Sequence, residues 1–186
     1  MPQNANIILI RHAEKPTKGA LLSVAGQERA WAYTVFFQNY ALDAGSPPVK
    51  IDYLFSSADS AASQRPRLTI TPLSQALGLT ISHDYPDKQY KEFAATINGN
   101  PAYNNSTLLI CWHHGEILKL ASALGAKASQ MPKEANWPAK WPGDVFGWVL
   151  LLRYDAEAKL RHKHTFCLPQ RLMYDDYGQD PPGGNS

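Results

Sequence analysis

Three short apolar runs in this chain each feed a segment that carries arginine or histidine. "ANIILI" (5–10) runs into Arg11 and His12, and "STLLICW" (106–112) runs into His113 and His114. "IDYLFSS" (51–57) opens a segment that carries Arg65 and Arg67. Continuous runs of strand formers, without polar alternation, suit strands buried on both faces, as in a parallel sheet. Stretches of helical character separate them. Ser23 reads as the N-cap of a helix in which Ala25, Arg29, Ala32, Phe36 and Tyr40 recur at roughly helical spacing. The stretch 57–78 reads as mostly helical, with Pro66 at a helix start, Pro72 as a kink and Gly78 as the stop. "LTISH" reads as a short strand, and "DKQYKEFAATING" and "EILKLASALG" as helices. A long loop rich in Pro, Lys and Trp then precedes a closing pair of strands, "VFGWVLLLRYD" and "LRHKHTFCLPQ".

Strands alternating with helices predict an α/β fold, three-layered, with a mostly parallel central sheet. The 186 residues suit one domain, placed at 1–175, with a tail from 176 to 186 expected to be disordered. Ligands of open parallel sheets bind outside the carboxyl ends of the strands. The three runs therefore deliver arginine and histidine to one rim.

Composition narrows the function classes. Hydrophobic residues make up 44% and charged residues 18%, the balance of a globular domain, and the net charge is +2. The basic residues are scattered, which argues against a nucleic-acid partner. No stretch approaches the ~20 apolar residues of a membrane span, and no export leader is evident. Cys111 and Cys167 form no metal knuckle and no disulfide framework. The expectation is a soluble, cytoplasmic protein with no membrane partner, no cofactor and no metal.

Two arginines and two histidines around one cleft make an anion site. Guanidinium forks match phosphoryl oxygens in a bidentate way. A neutral imidazole is a competent nucleophile near pH 7, and its attack on phosphorus gives a covalent phosphohistidine. Arg11 beside His12 disfavours the imidazolium and keeps that nucleophile free. Rival signatures of phosphoryl and acyl transfer are missing: there is no G-x-x-x-x-G-K-[ST] loop, no cysteine six positions before an arginine and no G-x-S-x-G elbow. A metal site built on His113, His114, His162 and His164 is a different reading of the same histidines, with His162 and His164 sharing one face of a strand. A non-catalytic phosphate-binding regulatory module is another.

Four stretches in order carry a family resemblance. "LIRHAEKP", "LLSVAGQERA", "SSADSAASQRPRLTITPL" and "LLICWHHGEI" resemble the motifs of the histidine phosphatase, or phosphoglycerate-mutase-like, superfamily over most of 5–125. Ala13 stands where that family usually has glycine. The resemblance implies a phosphatase that acts through a phosphohistidine on His12. It assigns Arg11, Arg65 and His114 to phosphate binding, with Thr69 following Arg65 and with Arg67 as a rival arginine. It points to Glu92 as general acid, ahead of Glu14 and Glu116. Relatives that hydrolyse phosphohistidine need no strong acid, because their leaving group is itself a nitrogen base. The implied substrate is a phosphorylated small molecule or a phosphoprotein. The short stretch from Gly78 to Ser106 favours a phosphatase over a mutase, which has to keep water off its phosphoenzyme.

Overall fold

The computed structural model describes residues 1–183. Six strands form one sheet: β1 (Asn6–Arg11), β2 (Tyr53–Ser56), β3 (Ile81–Ser82), β4 (Thr107–Trp112), β5 (Trp148–Arg153) and β6 (Phe166–Pro169). Their order is β3-β2-β4-β1-β5-β6. The first four strands in that order pair in parallel, while β5 runs antiparallel to β1 and to β6. The helices are α1 (Val24–Gln38), α2 (Arg65–Leu77), α3 (Tyr90–Gly99) and α4 (Ile117–Ala123). Among the described residues no helix is long and apolar enough to cross a membrane.

The apolar runs are continuous because the sheet is covered twice. Ile8, Ile10, Leu109 and Cys111 pack with Tyr33 and Phe37 of α1 and Ile70 and Leu73 of α2. Ile7, Leu9, Leu108, Ile110 and Trp112 pack with Phe93 and Ile97 of α3 and Ile117 and Leu120 of α4. With both faces apolar, polarity alternation cannot set the register of β1. Polar ends set it instead: Asn6 Nδ2 donates to Thr107 Oγ1 at 3.3 Å at one end, and Arg11 with His12 marks the other.

Helix α1 starts as its sequence suggests, with Ser23 Oγ accepting from the Gly26 amide at 3.1 Å. Gly26 lies against the backbone of Glu14, and a Cβ there would collide with the Glu14 carbonyl oxygen. The helix can thus reach the loop that follows β1. Its buried face is Gly26, Arg29, Ala30, Tyr33 and Phe37, displaced by about one residue from the Ala25–Tyr40 series expected from periodicity. Gly78 stops α2 at φ 67°, the left-handed conformation in which glycine carries no Cβ penalty.

Three expectations need correction. Helix α2 covers only the second part of 57–78, beginning at Arg65, and residues 60–63 form a turn closed by a Ser60–Ser63 bridge. Arg65 is itself the first helical residue, although the proline after it would favour extended backbone; Pro66 sits in the first turn, where its missing N–H costs nothing. His162 and His164 lie on a 3-10 turn before β6 rather than alternating along a strand. The tail expected to be disordered from 176 begins with a buried residue: Asp176 is 3% exposed and paired with Arg29. Residues 184–186 lie outside the described residues.

Candidate active site

Strands β1 and β4 are parallel neighbours, with Arg11 opposite Trp112. The His12 amide donates to the Trp112 carbonyl at 3.0 Å. His12 and His113 are thus the first residues past the two strand ends, and their rings meet edge to face with centroids 5.0 Å apart. The resemblance selects His114, but the ring against His12 is that of His113. His114 follows it, half-buried, with its Nδ1 unpartnered among the described residues; Arg11, His113 and Lys15 are the charges that act on it.

His12 is 2% exposed, and its Nδ1 lies 2.7 Å from the Ala13 carbonyl oxygen. A carbonyl can only accept, so Nδ1 carries the proton and Nε2 keeps the lone pair. Burial pushes the imidazole down to about 2; His113, Arg11 and Arg65 push the same way, against the Ala13 hydrogen bond. His113 is also lowered by burial, with the Asp87 carboxylate opposing. His114 is lowered by burial as well. The three imidazoles are therefore biased towards neutrality.

Arg11 is fully buried, and burial lowers its pKa to about 10. Its Nη1 donates to the carbonyls of Val145 (2.6 Å) and Pro142 (3.1 Å), and its Nη2 to that of Gly143 (2.8 Å). The Phe146 ring covers the guanidinium, 3.8 Å from Cζ to the centroid. Arg11 thus anchors the loop that enters β5. Three of its five N–H donors are used; those left are Nε–H and one on Nη2. Nε and Nη2 share one edge of the guanidinium, the edge whose geometry suits two oxygens of an oxyanion.

Arg65 leaves the start of α2. Its terminal nitrogens donate to the carbonyls of Gly19 (3.0 Å) and Ala62 (3.4 Å), and its Nε is buried without a partner among the described residues. Its charge acts on His12, Arg11 and His113. Arg67 is engaged elsewhere: its Nε and Nη2 both donate to Asp59 Oδ2, at 2.8 and 2.6 Å. The geometry separates the two arginines that the sequence left as rivals.

The acids divide differently from expectation. Glu92 is exposed in the first turn of α3, and none of the contacts to His12, His113, Arg11 or Arg65 involves it. Glu14 is bound through Oε1 to Arg29, and Glu116 pairs with Lys119. Asp87, on the 3-10 turn before α3, is the carboxylate whose charge acts on His113, and its carbonyl receives the Trp112 indole N–H at 3.0 Å. Sequence reading missed it, as it missed Ser57. Ser57 is the first residue past β2, its amide donates to the Cys111 carbonyl, and its buried Oγ has no partner among the described residues. Counting to the end of each apolar run would have found Ser57 and His113 together. Among the described residues no three His, Cys, Asp or Glu side chains cluster so as to hold a metal ion.

A scan against protein-family models and a search of curated proteins both found no match. Solved structures do match. Phosphoglycerate mutase from Plasmodium falciparum aligns at 16% identity and a TM-score of 0.51, over 85% of this chain and 87% of its own. The protein histidine phosphatase SixA, in a complex with tungstate, aligns at 12% and 0.53, over 89% and 97%. The alpha-ribazole phosphatase of Shigella flexneri aligns at 15% and 0.52, over 87% and 98%. This chain has the histidine phosphatase fold. In that fold the rim at the ends of β1, β2 and β4 gathers a neutral imidazole with a free Nε2, two guanidiniums with unused N–H groups and a second histidine. Such a set can receive an oxyanion and present a nucleophile to it.

Proposed function

We propose that the chain is a phosphatase that hydrolyses a phosphomonoester or a phosphohistidine through a covalent phosphohistidine on His12. The observation that carries this reading is the Nδ1–H bond from His12 to the Ala13 carbonyl, which leaves Nε2 unprotonated beside Arg11, Arg65 and His113. The Nε2 lone pair forms the N–P bond as the bond from phosphorus to the leaving group breaks. Nδ1 keeps its proton, so the positive charge that develops on the ring is met by the Ala13 carbonyl. The free edge of Arg11, with Arg65 and His113, stabilises the transferring oxygens. Water then attacks phosphorus, the P–N bond breaks and inorganic phosphate departs.

Asp87 is the carboxyl group best placed to protonate a leaving oxygen. A phosphoramidate, whose leaving group is a nitrogen base, depends on it less. A general acid is worth roughly 10²–10⁴-fold. The SixA neighbour's complex with tungstate, a tetrahedral oxyanion, supports the anion-binding part of this reading. The cytoplasmic location and the absence of a metal requirement belong to the same proposal.

The test is brief mixing with a labelled phosphate donor followed by an alkaline quench, because acid destroys phosphohistidine. Acid-labile, alkali-stable label on His12 is expected, with turnover of an aryl phosphate unchanged by a chelator. Phosphate binding without label or turnover would instead establish a regulatory binding module. The arginines give a second check. Arg65→Ala is expected to lower kcat/KM by about 10²-fold or more, and Arg67→Ala by less than about threefold, because its guanidinium is held by Asp59 at the surface. Equal losses would return Arg67 to the site.

A further inference from the structure

The nucleophile is only as well defined as the peptide that holds it. Ala13 lies just beyond the pairing of β1 with β4, since the last ladder bond is that of the His12 amide to Trp112. Ala13 is fully buried, so its N–H and C=O both need partners. The carbonyl receives His12 Nδ1–H. The N–H donates to the hydroxyl of Thr69 at 2.8 Å. Thr69 is itself fully buried on α2, and its hydroxyl donates in turn to the Arg65 carbonyl at 2.7 Å. One hydroxyl thus accepts from the loop that carries the nucleophile and donates to the residue that carries the guanidinium.

We infer that Thr69 is a positioning residue for phosphoryl transfer: its hydroxyl holds the Ala13 backbone in the orientation that fixes the His12 tautomer, and ties that loop to Arg65 at the start of α2. The inference rests on the phosphatase reading above. A hydroxyl is suited to this bridge because it donates and accepts at one atom. Valine has nearly the same shape and can do neither. In Thr69→Val the Ala13 amide is left without its acceptor, so the loop has reason to turn towards another one. The Ala13 carbonyl turns with it, and His12 loses the acceptor that keeps its proton on Nδ1. The charge of Arg65 and the bulk of the pocket remain, so ground-state binding of phosphate should change little.

The experiment compares Thr69→Val, Thr69→Ser and Thr69→Cys with the full chain. Two-dimensional ¹H–¹⁵N correlation of the imidazole nitrogens reads the His12 tautomer directly, and steady-state kinetics on an aryl phosphate reads kcat and KM. Wild type and Thr69→Ser should both show the Nδ1–H tautomer and kcat values within about threefold of each other. In Thr69→Val a mixture of tautomers is expected, with kcat lower by about 10–10²-fold, the scale of a small misplacement of a reacting group, and KM changed by less than threefold. Thr69→Cys, a weak acceptor of similar size, should fall between them, and it carries the test if the valine variant does not fold. A pure Nδ1–H tautomer with wild-type kcat in Thr69→Val, or a loss that serine does not restore, overturns the inference. The tautomer needs no turnover to be read. If wild type hydrolyses no phosphate donor, the phosphatase reading fails alone; if wild type is active and the Thr69 variants match it, the positioning role fails alone.

Discussion

His12→Ala should abolish both labelling and turnover, with kcat/KM lower by at least about 10⁴-fold, as expected when a covalent nucleophile is removed. The arginines that would remain can bind a phosphoryl group but cannot attack it. His113→Ala should be less complete. Its ring touches His12 edge to face, so its loss should slow transfer while label still forms on His12. Label recovered on His113 or His114 instead would exchange the roles of the two strand ends. The protonation of His12 gives an independent check. Its pKa is displaced from the usual 6.5 to about 2, burial being the main cause. An NMR titration of the free protein should therefore find the ring neutral from pH 8 down to pH 5, where an exposed histidine is mostly protonated. The sign of the linkage follows. Below 6.5 the unfolded chain takes up a proton at His12 that the folded chain refuses, so this contribution to stability is complete above pH 6.5 and declines as pH falls towards 2. A midpoint near 6.5 for His12 in the titration would mean that the ring is hydrated and not held as described.

The sequence was most informative where burial dominates. The residues of β1 and β4 are apolar on both faces because helices cover both, and that condition leaves a continuous run that can be read directly. Arginine or histidine at the end of such a run has to sit at a sheet edge, and the parallel pairing of β1 with β4 brings two such ends together, with β2 beside them leading through Ser57 to Arg65 at the start of α2. The choice between His113 and His114 was harder. Both precede glycine closely, and motif matching selects the adjacent one. What the structure adds is where β4 ends: Trp112 is still in the ladder and buried, so the first residue released is His113. Arg11 shows a different limit. Its partners are carbonyls of residues 142, 143 and 145, and carbonyls carry no side-chain signature. The surroundings of the acids are hard to read for a similar reason. Glu92 stands in the expected region of the chain, but α3 turns it outward, while Asp87 sits a turn earlier, on the 3-10 segment beside Trp112. Asp176 escaped because its composition-biased surroundings resemble a disordered tail, whereas its partner Arg29 lies 147 residues earlier.

That partnership should have the largest effect on stability. Arg29 is 1% exposed and lies between two carboxylates: its Nη2 is 2.6 Å from Glu14 Oε1 and 2.6 Å from Asp176 Oδ1, and its Nη1 donates to Asp176 Oδ2 and to Gln170 Oε1. Burial alone would lower the pKa of this guanidinium, but the bonds to Asp176 and Glu14 outweigh it and raise it instead. Asp176 mirrors this: burial favours its neutral form, yet Arg29 and the amides of Leu172 and Met173 hold its pKa below the usual 3.8. Arg29→Met keeps much of the side-chain volume and removes the charge, leaving Asp176 buried with backbone amides alone. Removing one partner of a buried ion pair costs about 3–5 kcal/mol, and urea denaturation of the variant should show a loss of that size. Adding Asp176→Asn to Arg29→Met should recover part of it, because the stranded charge goes too. The pH dependence has a definite sign: the Asp176 contribution is complete above 3.8 and is lost as pH falls through the depressed folded value, so wild type and Arg29→Met should converge in stability at acid pH. Arg29 also joins Glu14, two residues after His12, to the segment beyond β6. In Arg29→Met that segment should therefore become sensitive to limited proteolysis after residue 170, and kcat should fall along with stability. A variant as stable as wild type, with its C-terminal segment still protected, would show that Asp176 is held by the Leu172 and Met173 amides alone and that the closing segment is not anchored to the loop after β1 through Arg29.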